Sequence, residues 1–360
     1  MRPARPRSLR TQRSATHPMT PSNWSTEADL ENLLSRPTDS LVRDLSSIDG
    51  DILILGASGK MGPTLARLAK RASGATKASR RVIGVARFAD AAARKALETH
   101  EIDTIACDLR DRAAVAQLPD VPNIIYMAGQ KFGTKADPRT TWAINVDAAV
   151  IAAERFSKSR IVAFSTGNVY PFSPIAYRPV ETDPLGPVGE YAESAVARER
   201  AFAEAASKNG TRIAIVRLNY AVEPRYGVIR DLADKVMAGT PIDLSMGFVN
   251  VIWQRDANAV ALRLLSHVST PPFVLNVTSA ETYGVRYIAL SIGKRLGRTP
   301  QFTGTESPTA LLSNAARMNQ MFGPPEVSVD DAIDLIADWV KAGGRSLDKP
   351  THFEERTGSF

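Results

Sequence analysis

Gly56, Gly59 and Gly62 are evenly spaced between the apolar run Ile52-Leu53-Ile54-Leu55 and a helical pattern through Leu65, Leu68 and Ala69. A run that short and that apolar reads as a buried parallel strand. Each glycine then has its own task. Gly56 allows a sharp turn, Gly59 removes a Cβ where a pyrophosphate must approach the backbone, and Gly62 lets the next helix sit close to the sheet. The helix points its N-terminal amides at the phosphates. Ser58, Lys60 and Met61 complete the loop, with Lys60 expected to be tied to phosphate. A glycine-rich turn without a ligand is the plainer reading, but the strand before and the amphipathic helix after it favour a dinucleotide site.

Two further residues belong to that chemistry. The second strand of such a site carries a carboxylate for a ribose 2′-hydroxyl or an arginine for a 2′-phosphate. Here it ends Val85-Ala86-Arg87 with no acid, and the Arg87 guanidinium suits phosphate, so NADP is expected over NAD. The plain alternative is a solvated arginine. Asp108, after Cys107, could accept from an adenine amino group or could cap the following helix.

The elements that must hold these residues alternate. Strands are expected over 52–55, 81–86, 102–107, 123–128, 160–165 and 211–218. Helices are expected over 89–97, 112–118, 138–156 and 189–207 between them. This is the pattern of an α/β fold, a doubly wound parallel sheet of Rossmann type with ligands at the carboxyl ends of its strands. Beyond Asn219 the pattern loosens into helices over 229–237, 256–267 and 283–296 and extended segments over 248–252 and 273–277, read as a smaller C-terminal substrate-binding lobe. The expected division is a disordered basic tail (1–26), a helical extension (27–50), the dinucleotide-binding domain (51–225), the lobe (226–345, with segments returning to the sheet) and a C-terminal tail (346–360).

The glycine loop, Asp108-Leu109, the strand end Tyr126-Met127-Ala128-Gly129, Asn145, and Ser165-Thr166-Gly167-Asn168-Val169-Tyr170 together resemble the extended short-chain dehydrogenase/reductase family, which includes NAD(P)-dependent epimerases and dehydratases of sugars. The likeness runs over about residues 50–340 and includes Met321-Phe322-Gly323-Pro324-Pro325. It implies that Leu109, Ala128 and Gly129 border the cofactor, that Thr166 hydrogen-bonds the reacting oxygen, and that Tyr191 is the catalytic tyrosine, also touching cofactor. It further implies a homodimer through the helices over 138–156 and 189–207.

The chain departs from that pattern in two places. One helical turn beyond Tyr191 the family places a lysine, and this chain has Ala195. A free phenol has a pKa near 10, so only about one in a thousand is ionised at neutral pH, and a nearby cation lowers such a value by roughly 1 to 3 units. Lys131, in the loop after the fourth strand, is the first candidate to replace the lost charge. Arg198, a turn further along the tyrosine helix, would lean back towards Tyr191. With a neutral tyrosine, carbonyl reduction suffers less than alcohol oxidation. The second departure is Asn219-Tyr220, where the sugar epimerases place an asparagine one position later. A smaller sugar or sugar acid is therefore as plausible a substrate as a nucleotide sugar, with Arg225 and Arg255 as anion contacts or structural ion pairs.

Bulk properties exclude other classes. Of the formal charge of +7, much resides in Arg2, Arg5, Arg7, Arg10 and Arg13, ahead of the first acid, Glu27. These read as sequence upstream of a start at Met19 rather than as a nucleic-acid arm or targeting peptide. One cysteine, Cys107, forms no internal disulfide and fits a reducing, cytoplasmic setting. Four scattered histidines suggest no metal site, and no apolar run reaches the roughly 20 residues of a membrane span. The expected activity is NAD(P)-dependent hydride transfer at a secondary alcohol or ketone of a carbohydrate-like substrate, as an oxidoreductase or an epimerase. The rival is a dinucleotide-binding sensor or subunit that has lost catalysis, favoured by Ala195.

Overall fold

The computed structural model describes residues 26–76, 78–134 and 136–359. The expected basic tail lies outside the described residues except for Thr26, which caps the helix Glu27–Leu34.

Seven parallel strands form the main sheet: β1 (Ile52–Leu55), β2 (Val82–Ala86), β3 (Asp103–Ala106), β4 (Asn123–Tyr126), β5 (Arg160–Thr166), β6 (Arg212–Leu218) and β7 (Phe273–Val277). Their spatial order is β7-β6-β5-β4-β1-β2-β3, so chain direction across the sheet reverses between β1 and β4. That is the doubly wound arrangement, and the reversal opens a crevice at the carboxyl ends of β1 and β4.

The strands are apolar along their whole length because both faces are covered. Ile52 and Ile54 point into one layer, with Leu65 and Leu68 of α3 (Gly62–Ala75) and Val260 of α10 (Gln254–Arg263). Leu53 and Leu55 point into the other, with Ala149 and Ala152 of α7 (Ala148–Arg155) and Phe202 of α8 (Glu190–Asn209). All four β1 side chains are fully buried, and each such burial stabilises by about 1.5–3 kcal/mol.

A third core belongs to the lobe. Helices α9 (Val228–Ala238), α11 (Val285–Leu296) and α13 (Val329–Lys341) pack against one another around Leu232, Ile288 and Ile336. The extension divides between these cores. Leu30 and Leu34 of α1 (Glu27–Leu34) join the lobe, while Leu41 and Leu45 of α2 (Asp39–Ser46) join the sheet.

Two segments differ from the expected pattern. The helix expected over 138–156 contains a wide π-turn, Ala143–Asp147, between Pro138–Trp142 and α7. Residues 346–359, in the expected C-terminal tail, pack as a strap. Phe353 is buried in the lobe core, the Thr351 amide donates to Asp231 at 2.7 Å, and a Cβ on Gly189 would lie 2.5 Å from the Gly358 carbonyl oxygen. The sequence reading missed this because Phe353 is an isolated apolar residue in a polar stretch, without periodicity. Among the described residues no helix is long and apolar enough to cross a membrane.

Candidate active site

The crevice is built from two strand ends. Gly56, directly after β1, has φ +94°, and a Cβ there would stand 2.7 Å from the Ala128 amide nitrogen beyond β4. Only glycine meets both the dihedral and the clearance. A Cβ on Gly62 would lie 2.3 Å from the Ala57 carbonyl oxygen, so this position fixes how closely α3 approaches the loop. Helix α3 begins without a side-chain cap, its Gly62 amide donating to the Gly59 carbonyl at 3.1 Å and Pro63 carrying no N–H, so the positive end of its dipole rather than a row of free amides faces the loop. This uncapped helix start beside Cβ-free backbone fits a dinucleotide pyrophosphate.

Two hollows meet over Gly59, Met127, Ala128 and Gly129. The first, of about 220 Å³, is lined by Gly56, Ser58, Arg87, Asp108, Leu109 and Arg110. Asp108 accepts from the Arg110 guanidinium at 2.6 Å and from its amide at 3.0 Å. Those bonds, chiefly the side-chain pair, hold its carboxyl down to about 2. The cap of the next helix is Asp111, whose carboxylate accepts from the Ala113 and Ala114 amides. Capping therefore does not account for Asp108. Arg110 escaped the sequence reading because an exposed arginine after an acid carries no short-range signal.

The second hollow, of about 260 Å³, brings Lys60, Met61, Lys131, Thr166, Asn168, Tyr191, Arg198, Tyr220, Tyr226 and Thr351 to one wall system. Thr166, at the carboxyl end of β5, accepts from the Asn168 amide at 3.2 Å and donates to the Asn168 side chain at 3.0 Å. Tyr191 stands in the first turn of α8 and faces the same space. Asn145, on the π-turn, clamps the loop after β4: it accepts from the Gln130 amide at 2.7 Å and donates to the Gln130 carbonyl at 3.0 Å and to Ser194 at 2.8 Å. The wider turn lets one side chain reach both the loop and α8.

Ala195 is fully buried with Val169, Tyr170 and Val196, an apolar cluster at the position where the family pattern has its lysine. Positive charge reaches the cavity from Lys131, from Lys60 and, further along α8 itself, from Arg198. The Lys131 ammonium donates to the Thr351 carbonyl at 2.9 Å, and burial lowers it to about 8. Arg198 runs behind the β4 loop and donates to the Ala128 carbonyl at 3.4 Å. The Lys60 ammonium lies 3.5 Å from the Tyr226 ring centroid and 4.5 Å from that of Phe132, on the lobe side of the loop. Burial pushes the phenols of Tyr220 and Tyr226 well above their ordinary value, so both stay neutral.

Arg225 and Arg255 are not anion contacts. Arg225 is buried against Glu223, Glu27 and Glu31, and Arg255 against Asp256 and Glu326. Asn219 is also spent structurally, donating to the Asn250 side chain at 2.6 Å, while Tyr220, with φ +46°, turns into the cavity. Tyr226 and Thr351 were invisible to sequence reading because their approach depends on how the lobe and strap pack. Among the described residues no cluster of His, Cys, Asp and Glu could hold a metal ion.

The fold is shared with several solved structures. UDP-glucose 4-epimerase of Thermus thermophilus superposes with TM-score 0.66 at 20% identity, over 80% of this chain and 98% of that one. UDP-glucuronic acid 4-epimerase of Bacillus cereus gives 0.68 at 16%, over 81% and 99%. The dTDP-glucose 4,6-dehydratase of Bacillus anthracis gives 0.69 at 16%, over 81% and 97%. No curated protein matches the sequence. The sequence profile of the NAD dependent epimerase/dehydratase family matches residues 52–245, from the first strand into the lobe. With that match over more than half its length, the chain belongs to the NAD dependent epimerase/dehydratase family of enzymes.

Proposed function

We propose that this enzyme moves a hydride to or from a secondary alcohol or ketone of a carbohydrate-like substrate, as an oxidoreductase or as an epimerase without net redox. The observation that carries this reading is that Thr166 and Tyr191, from a strand end and a helix start, line one cavity that opens onto the nucleotide groove at Gly59, Ala128 and Gly129. The names of the structural neighbours, enzymes of sugar nucleotides, support the carbohydrate class.

In this reading Gly56, Ser58, Gly59, Met61 and Gly62 form the phosphate bed, and Leu109, Ala128 and Gly129 flank the dinucleotide. Arg87 reaches for a 2′-phosphate, which favours NADP, and nicotinamide supplies or accepts the hydride when bound. Tyr191 exchanges the proton with the substrate oxygen. Thr166 orients that oxygen by turning its hydroxyl away from Asn168. Lys131 provides the positive charge that the buried Ala195 cannot. Two copies pair through the helix faces of 138–156 and 189–207, a state that sedimentation reads directly.

The rival, a dinucleotide binder without catalysis, draws on the apolar packing of Ala195. Incubation of the protein with NADPH or NADH and a panel of keto-sugars separates the two by absorbance at the reduced-nicotinamide band. Turnover that disappears in Tyr191→Phe supports catalysis. Tight binding of coenzyme with neither its oxidation nor any interconversion of sugar epimers supports the rival.

A further inference from the structure

The inner cavity carries an unusual charge balance. Lys60, Lys131 and Arg198 line it, and no aspartate or glutamate does. Lys60 is the most telling of the three. Among the described residues its ammonium meets two aromatic rings, Tyr226 and Phe132, and no hydrogen-bond acceptor. The rings fix where the ammonium stands without using its N–H donors. Arg198 adds a buried Nε that lacks a partner. Burial and the charges of Lys131 and Lys349 bring Lys60 down to about 7, against a smaller pull from Asp231. An anion beside it would reverse that.

Size narrows the ligand further. A space of about 260 Å³ lies below the roughly 300–1,000 Å³ of most ligand clefts, and it must receive the reacting end of the coenzyme as well. Thr351 of the strap closes its lobe side. Across the strap lies a separate hollow, lined by Asp231, Asp234, Asp348 and Glu354 together with Arg225, Lys235 and Lys349, so the excess of positive charge belongs to the inner cavity.

We infer that the substrate is a small carboxylate-bearing hydroxy or keto acid, without a nucleotide, whose carboxylate is received by Lys60 in the cavity that Lys131 also lines. This rests on the reading of the cavity as the reacting site. The cofactor pyrophosphate is the other source of negative charge near the glycine loop. The placement of the ammonium against Tyr226, a residue of the inner cavity and absent from the nucleotide groove, argues for the substrate side.

The test begins with calorimetric titration of the protein with NADPH and NADH. The protein loaded with the tighter coenzyme is then titrated with lactate, pyruvate, D-gluconate and D-glucuronate, each beside its uncharged amide. At least one acid should bind about tenfold or more tightly than its amide, as a charge-assisted contact provides. Lys60→Met should abolish that preference and Lys60→Arg should keep it, with coenzyme affinity in both variants within about twofold of the parent. Equal binding of every acid and amide, or a preference that survives in Lys60→Met, overturns the inference. Weakening of coenzyme as much as of acid also overturns it and assigns the ammonium to the pyrophosphate. Failure of the parent protein to bind either coenzyme shows in the first titration and removes the underlying reading as well.

Discussion

The Lys131 ammonium and the Thr351 carbonyl oxygen are 2.9 Å apart in space and 220 positions apart in sequence. Thr351 is held in turn by Asp231 of α9, which accepts from its amide at 2.7 Å and from its hydroxyl. A cation from the sheet domain, the C-terminal strap and a carboxylate from the lobe thus form one chain of contacts. The wall of the inner cavity depends on all three.

Releasing the strap should therefore loosen the site without dismantling the sheet. Asp231→Ala leaves the Thr351 amide and hydroxyl without their acceptor, at a cost of about 1–3 kcal/mol. Cleavage by a protease between residues 346 and 359 should become faster, and the melting temperature should fall by a few degrees. An unchanged cleavage rate would show that the strap is held elsewhere.

Tyr191→Phe keeps the ring and removes the exchangeable proton. Turnover should drop by about 10²–10⁴-fold, the range for loss of a general acid or base, while coenzyme affinity stays the same. Steady-state kinetics beside a fluorescence titration of NADPH reads both. Equal loss of binding and turnover would mean that Tyr191 serves only to hold coenzyme.

Arg87→Ala addresses the coenzyme choice. If Arg87 meets a 2′-phosphate, NADPH affinity should fall about tenfold or more while NADH affinity is unaltered, since the two ligands differ only there. Parallel losses for both would assign Arg87 to the shared part of the dinucleotide or to the loop itself.

Gly62→Ala places a methyl group 2.3 Å from the Ala57 carbonyl oxygen. Either α3 or the loop must shift, and overpacking of this kind costs about 1–3 kcal/mol. The protein should remain folded by circular dichroism yet bind coenzyme poorly, because the displaced part is the proposed phosphate bed. Gly74→Ala, in the same helix with open space around it, is the matched control.

Lys60 and Lys131 both have folded values below the ordinary lysine value of 10.5, about 7 and about 8, chiefly from burial. The unfolded chain therefore binds more protons than the folded one between about pH 7 and 10.5, and stability contributed by these groups rises with pH across that window. Facing them are Lys349, Asp231 and Glu354. Urea midpoints at pH 7 and 9.5 should increase in the parent protein and converge in the Lys60→Met, Lys131→Met double variant. Anion binding should run the opposite way, weakening as the ammonium groups lose their protons.

Much of the architecture could be read from local pattern. A strand with both faces buried must be apolar throughout, so β1, β4 and β5 announced themselves. Helix α3 did so through the spacing of Leu65 and Leu68 behind the glycine loop. These signals are short-range: neighbouring residues share one element, and the element's period is written in their side chains. The glycines were legible for the same reason, because the demand on Gly56 comes from its own dihedral and from the next strand end.

The residues that complete the inner cavity followed another rule. Arg225 and Arg255 read in sequence equally as anion contacts or as structural ion pairs, and they are buried in ion pairs. Tyr226 and Thr351 carried no motif, and they reach the site because α9 and the strap pack over the sheet domain. Sequence alone determined the glycine loop and the alternating sheet, and through the family likeness it gave the expectation that Thr166 and Tyr191 act together. Tertiary structure decided which cations face the reacting space, because a side chain's partner in a fold is set by packing between distant segments, and nothing in the residues beside Lys60 or Lys131 records the approach of Tyr226 or Thr351.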